Sequence, residues 1–154
     1  MKRSVFILSG TAILALVLSC ASPEERMKKT VLKLANAIEK KSLLGIEKHI
    51  SANYQDEYGF GKREVLSVFK YAFDTYKEIT VSVKNVTSEF NEDITESTVS
   101  FETTTLLRLP GDRGWEKVEA HIELSVEKRE TGWLIMSARG DEIDPVPAKT
   151  SDLP

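Results

Sequence analysis

The chain has 154 residues, with 21 Lys and Arg against 24 Asp and Glu and a formal charge of −3. That length fits one globular domain, and the acidic balance offers no basic excess for nucleic acid. A single cysteine, Cys20, excludes an intramolecular disulfide and a cysteine-based zinc cluster.

Lys2 and Arg3 form a short positive region ahead of Val5 to Leu18, an apolar run with no charged residue. At about 14 residues it falls short of the roughly 20 that a helix needs to cross a bilayer, so it reads as a targeting segment. The run closes on Val17-Leu18-Ser19-Cys20, which resembles the lipobox of bacterial lipoproteins: an aliphatic residue, then a small one, then the cysteine that becomes the mature N-terminus. By that resemblance residues 1–19 are a lipoprotein signal peptide, and Cys20 carries acyl chains that anchor the protein to a membrane of the cell envelope. Two or more buried acyl chains hold where one does not, at about 0.8 kcal/mol per methylene. Ala21 after the cysteine favours the outer membrane by the sorting pattern of enteric-type bacteria. The alternative is an ordinary cleaved leader that leaves an unpaired thiol.

Residues 20–143 then form one domain, and 144–154, with three prolines, form a polar tail. Ser22-Pro23-Glu24-Glu25 is a helix start, with a capping serine, a proline in the first turn and two acids at the positive end of the dipole. Met27, Val31, Leu34 and Ile38 recur at helical spacing, with Lys28, Lys29, Lys33 and Lys40 mostly off that stripe. Such a helix packs on a core, although a lysine-rich face beside a lipid anchor also suits an anionic membrane surface. A short second helix is expected from Ser42 to His49, capped by Ser42. The stretch from Ser51 to Gly61 reads as irregular or as a very short hairpin. From Lys62 to Tyr76 the helical period returns, with Val65, Phe69, Ala72 and Tyr76 on one stripe and Leu66 and Phe73 widening it.

From Ile79 onward the apolar period becomes two, in four runs. Ile79, Val81 and Val83 make the first, and Val99, Phe101, Thr103, Thr105, Leu107 and Leu109 share one face of the second. Val118, Ala120, Ile122, Leu124 and Val126 alternate with charged residues in the third. Trp133 to Ala138 is apolar on both faces, as a well-covered strand would be. Turn residues at Asn91-Glu92-Asp93, Pro110 to Gly114 and Glu130-Thr131-Gly132 make the neighbours antiparallel. Helices followed by an antiparallel meander give an α+β domain, with the N-terminal helices packed on a curved sheet of about four long strands.

Tyr54-Gln55-Asp56-Glu57-Tyr58-Gly59, the closing Thr131-Gly132-Trp133-Leu134-Ile135 strand and the element order resemble the nuclear transport factor 2-like superfamily, which includes SnoaL-like and ketosteroid isomerase-like proteins. The resemblance implies a sheet wrapped into a cone with a cavity at its wide end. That superfamily holds enzymes and many non-catalytic binding and dimerisation modules, so fold alone does not choose between them. An isomerase needs a carboxylate base and donors converging in an apolar cavity. Asp56, Glu57 and Asp74 are the acids near the expected mouth, with Tyr54, Tyr58 and Tyr71 as donors, and no spacing singles one out. The expected ligand pocket is Tyr54, Tyr58, Phe101, Thr103 and Thr105, a half-apolar, half-hydroxyl lining that suits a small amphipathic ligand. No catalytic residue is assigned. The first reading is a non-catalytic ligand-binding or protein-assembly module; the alternative is a small-molecule isomerase or lyase using an acid in the cone.

His121, between Glu119 and Glu123, belongs to a solvated or dimer-forming sheet face, and a homodimer through the sheet is one expected partnership. His49 is read as bonding a helix-end carbonyl. The two histidines are too far apart in the chain to build a metal site together, Asn91-Glu92-Asp93 lacks a calcium-loop pattern, and no cofactor is implied. Gly59-Phe60-Gly61-Lys62-Arg63 matches neither a phosphate-binding loop nor a dinucleotide fingerprint.

Overall fold

The computed structural model describes residues 21–111 and 114–143, the last two by backbone alone. The leader with Cys20 and the 144–154 tail lie outside the described residues. Helix α1 spans Pro23–Glu39, and the Ser22 hydroxyl accepts from the Glu25 N–H at 3.2 Å, satisfying one orphan donor of the first turn. Met27 and Val31 are buried and Leu34 and Ile38 are partly buried against the core; Ala35 and Ala37 are buried as well, so the inward stripe is wider than the spacing of large residues indicates.

After α1 the chain reverses at Lys41, whose φ is 51°. Its ammonium donates to the carbonyls of Phe73 and Tyr76 at the end of the third helix, which ties the end of the first helix to it. Helix α2 is shorter than expected, Leu43–Glu47, with the Ser42 hydroxyl accepting from the Gly45 N–H at 3.0 Å. Ile46 is buried, whereas Leu44 points to solvent. Helix α3 spans Lys62–Thr75.

Strands β1 (Glu78–Phe90), β2 (Glu96–Arg108), β3 (Trp115–Arg129) and β4 (Gly132–Ile143) form one antiparallel sheet in the order β1-β2-β3-β4. Two bulges bend it. In β1 the pairing shifts between Lys84 and Thr87, with Asn85 at φ 53°. An extra residue reverses which parity faces inward, so Ile79, Val81 and Val83 hand over to Val86 and Phe90. In β4 Val126 pairs with Ile135 but Ser125 with Ser137, leaving Met136 as the extra residue. Inward Trp133 and Ile135 therefore give way to Ala138. The Trp133–Ala138 run, expected to be apolar on both faces of a covered strand, is instead a bulged outer strand of the sheet.

The outer edge of β4 is not bare. The Ile135 N–H donates to the His49 carbonyl at 2.8 Å, and the N–H groups of Ser51 and Gln55 donate to the carbonyls of Ile135 and Met136 at 2.9 and 3.0 Å. On the opposite edge the Val81 N–H donates to the Glu39 carboxylate at 2.8 Å. The helices thus lie against the concave face, with Met27, Ile46, Val99, Leu124 and Ile135 at the centre of the core.

Burial sets a contrast in stability. Met27→Ala, at a fully buried site, is expected to lower unfolding free energy by about 2–5 kcal/mol in urea titrations, while Leu44→Ala changes it by no more than about 0.5 kcal/mol.

Candidate functional site: an apolar cavity inside the cone

Helices α1 and α3 do not fill the concave face completely. A cavity of about 370 Å³ remains, lined by Val31, Leu34 and Ile38 of α1 and by Val65, Phe69 and Phe73 of α3. Val81 and Val83 of β1 and Phe101, Thr103 and Thr105 of β2 form the opposing wall, with Ile122 and Ala138 beyond them. The alternation of period two makes this lining: pairing sets Val81 beside Thr105 and Val83 beside Thr103, on the concave side. Among the described residues no acid, histidine, lysine or arginine lines it.

Four of the five expected pocket residues, Tyr54, Phe101, Thr103 and Thr105, meet at this cavity, and Tyr58 does not. The Tyr58 side chain is 74% exposed and rests near the Phe60 ring, with centroids 6.4 Å apart. The loop explains the difference. Asp56 accepts from the N–H groups of Tyr58 and Phe60 at 2.9 and 2.8 Å, closing a tight turn that carries Tyr58 outward. Tyr54, before that turn, stays buried.

The three acids proposed from the sequence are all engaged or exposed outside the cavity. Asp56 holds its own turn, Glu57 is exposed, and Asp74 pairs with Lys70 at 2.6 Å on the outer side of α3. Tyr71 is also exposed. The polar groups left at the cavity are hydroxyls. Thr103 reaches the Ala120 carbonyl at 3.4 Å, while the hydroxyls of Tyr54 and Thr105 have no hydrogen-bond partner among the described residues. Burial pushes the Tyr54 phenol above its usual range, with the Asp56 charge adding to the effect. Tyr54 is therefore a donor at neutral pH and not a base. Val83 and Ile122, absent from the pocket expected from sequence, join it through strand parity, the signal by which they can be found, whereas Ala138 joins it only because the bulge at Met136 reverses the parity of β4.

His49 differs from its expected role: its backbone N–H bonds the Ile46 carbonyl at 2.9 Å, but the side-chain Nε2 is buried without a partner among the described residues. Burial lowers its pKa, with Lys48 and Lys33 adding repulsion. His121 is exposed on the convex face, in register with Glu102 and Asp141. Among the described residues no group of three or more His, Cys, Asp or Glu could hold a metal ion.

Solved structures share this architecture. A candidate scytalone dehydratase from Novosphingobium aromaticivorans superposes with a TM-score of 0.71 at 9% identity, covering 80% of this chain and 87% of its own. The domain has the nuclear transport factor 2-like cone fold. Hexachlorocyclohexane dehydrochlorinase LinA type 2 superposes at 0.69 with 13% identity, covering 81% and 88% of the two chains. LinA-type3 from Novosphingobium barchaimii gives 0.68 at 11% identity, covering 81% and 89%. No protein-family model and no curated protein sequence matches the chain. At these identities the likeness establishes the fold and leaves the activity to the residues.

The raised Tyr54 pKa makes a pH prediction. A phenol whose folded pKa exceeds its unfolded value contributes stability below the unfolded pKa of about 10 and loses it as pH rises through the folded value. Tyr54→Phe should therefore flatten the alkaline fall of stability above about pH 10, measured by urea unfolding across that range.

Proposed function

We propose that this domain binds a small, largely apolar molecule in the cone, through hydrocarbon contact and one or two hydrogen bonds to Tyr54 and Thr105. The observation that carries the reading is the cavity of about 370 Å³ whose lining is apolar apart from hydroxyls, two of them without hydrogen-bond partners among the described residues. Each methylene moved from water into such a lining contributes about 0.8 kcal/mol, so a compact hydrophobic body with one polar end is the ligand that fits.

A second reading keeps the same ligand and adds chemistry. The named activities of the structural neighbours, a candidate dehydratase and dehydrochlorinases, favour an isomerase or lyase over a non-catalytic module. An elimination needs a base for the departing proton and a donor for the leaving group. Tyr54 offers the donor. The base is the missing part, because the candidate acids Asp56, Glu57 and Asp74 lie outside the cavity lining.

Nile red should gain fluorescence with the protein and lose it to competing small apolar molecules. Val65→Trp, which fills the cavity, should remove that gain while leaving the circular dichroism spectrum unchanged; an unaffected gain would place the dye elsewhere and sink the binding reading. Chloride release from hexachlorocyclohexane, lost in Tyr54→Phe, would carry the lyase reading.

We also propose that the chain is a lipoprotein anchored through acyl chains on Cys20 at the cell envelope. The support is the Lys2–Arg3 pair, the apolar run and the Val17–Cys20 sequence; with α1 starting at Pro23, an anchor at Cys20 would hold the domain close to the membrane. Cys20→Ala should abolish incorporation of labelled palmitate in a bacterial host. Label retained by the variant would overturn the anchor.

A further inference from the structure

The outward side of α1 is as basic as its inward side is apolar. Arg26, Lys29, Lys33 and Lys40 follow one another at intervals of three, four and seven, which keeps them in a single stripe along the helix. With Lys48 after α2 and Lys128 near the end of β3, the stripe lines a groove of about 950 Å³ between α1, the end of α2 and the β3–β4 hairpin. None of these six cations has an ion-pair partner among the described residues. Glu130 is the one acid in the lining, and the remaining cation, Arg129, is held by Glu127 at 2.7 Å.

This segregation runs against the composition, since the whole chain carries a formal charge of −3. Elsewhere cations sit beside carboxylates, as in Lys62–Glu47, Lys70–Asp74, Arg108–Glu78 and Arg139–Glu123. A concave surface lined by one sign of charge focuses its field and raises the local concentration of counter-ions. His49 also lines this groove, and its buried Nε2 has no hydrogen-bond partner among the described residues. The positive field registers on this imidazole, since Lys48 and Lys33 both help to hold its pKa down.

We propose that this groove is a binding site for a phosphate-bearing polyanion, either a soluble phosphate compound or the headgroup of an anionic lipid. The lysine-rich lining fits phosphate, because an ammonium is a compact point charge that approaches tetrahedral oxygens from many directions, whereas planar carboxylate recognition favours the arginine fork. Ala37, Trp133 and Leu134 give the groove an apolar wall beside the charge. Two sources share the chemistry. The site is separate from the cone cavity and stands whichever ligand the cone holds.

His49 is the built-in reporter, because His121, the other histidine of the chain, lies exposed on the sheet. Proton NMR of the full chain at low ionic strength, titrated with sodium pyrophosphate, should shift the His49 resonances and raise its pKa while His121 stays in place. Lys33→Glu with Lys48→Glu should weaken that binding by about tenfold or more, from roughly 1 kcal/mol per cation. Lys28→Glu with Lys84→Glu, which changes two exposed lysines outside the groove, should leave it intact. A second arm replaces pyrophosphate by phosphatidylcholine vesicles with and without phosphatidylglycerol. A His49 response to pyrophosphate identifies the soluble source; a response to the phosphatidylglycerol vesicles alone identifies the headgroup. If neither probe moves His49, or if the control pair weakens binding as much as the groove pair, the proposal is overturned.

Discussion

Everything in this domain depends on the curvature that two bulges put into one sheet. A four-stranded sheet with only its natural twist would lie nearly flat against α1 and α3 and press its apolar face into theirs. The extra residue near Asn85 in β1 and Met136 in β4 instead bend the outer strands, and each bend reverses the inward parity of the strand that carries it. Core is thereby divided into two parts. Near the Trp133 end the side chains of Phe90, Val126 and Trp133 join the packed core, whereas between β1, β2 and α3 the concave surface stands away from the helices and leaves space.

Most of the architecture is legible in the residues because local rules and tertiary packing agree. Ser22 and Ser42 cap the helices they precede, and strand alternation places Phe101, Thr103 and Thr105 on the concave side. What escapes linear reading is where the alternation breaks. Lys84-Asn85-Val86 contains no glycine or proline to mark a bulge, and the one available sign is Asn85, a residue type that tolerates the left-handed backbone it adopts at φ 53°. Tyr54 and Tyr58 are equivalent in composition but separated by the turn that Asp56 closes, so one lines the cavity and the other faces solvent. The basic groove was harder still to foresee. The lysines off the apolar stripe of α1 suggest at most a helix face suited to an anionic surface, and nothing in chain order brings Lys33 near Lys128.

The cavity and the groove divide chemical labour in opposite ways. Inside the cone, contact is hydrocarbon and selection operates through size and shape, since one methylene more or less is worth only about 1 kcal/mol and no charge enforces orientation. On the outer side of α1, selection operates through charge and is weakened by salt. Both surfaces are built from α1, whose inner residues Val31, Leu34 and Ile38 face the cavity while Lys29, Lys33 and Lys40 face the groove. A shift of that helix would alter both, and its C-terminal end is tied to the end of α3 by the Lys41 ammonium on the carbonyls of Phe73 and Tyr76.

The segment from His49 to Gln55 covers the outer edge of β4 at Ile135 and Met136 with three main-chain hydrogen bonds, a place where a foreign strand would add. It acts as an internal competitor. A partner that recognises its targets by extending a sheet must first peel this segment away, and that opening also draws Ile50 and Tyr54 out of the core. Sheet extension over Ile135 and Met136 therefore carries the free-energy cost of a local unfolding event in addition to the partner's own affinity. Ile50 and Tyr54, which alternate with the residues that make those bonds, line the cavity, so the covered edge and the cavity wall are built from one segment.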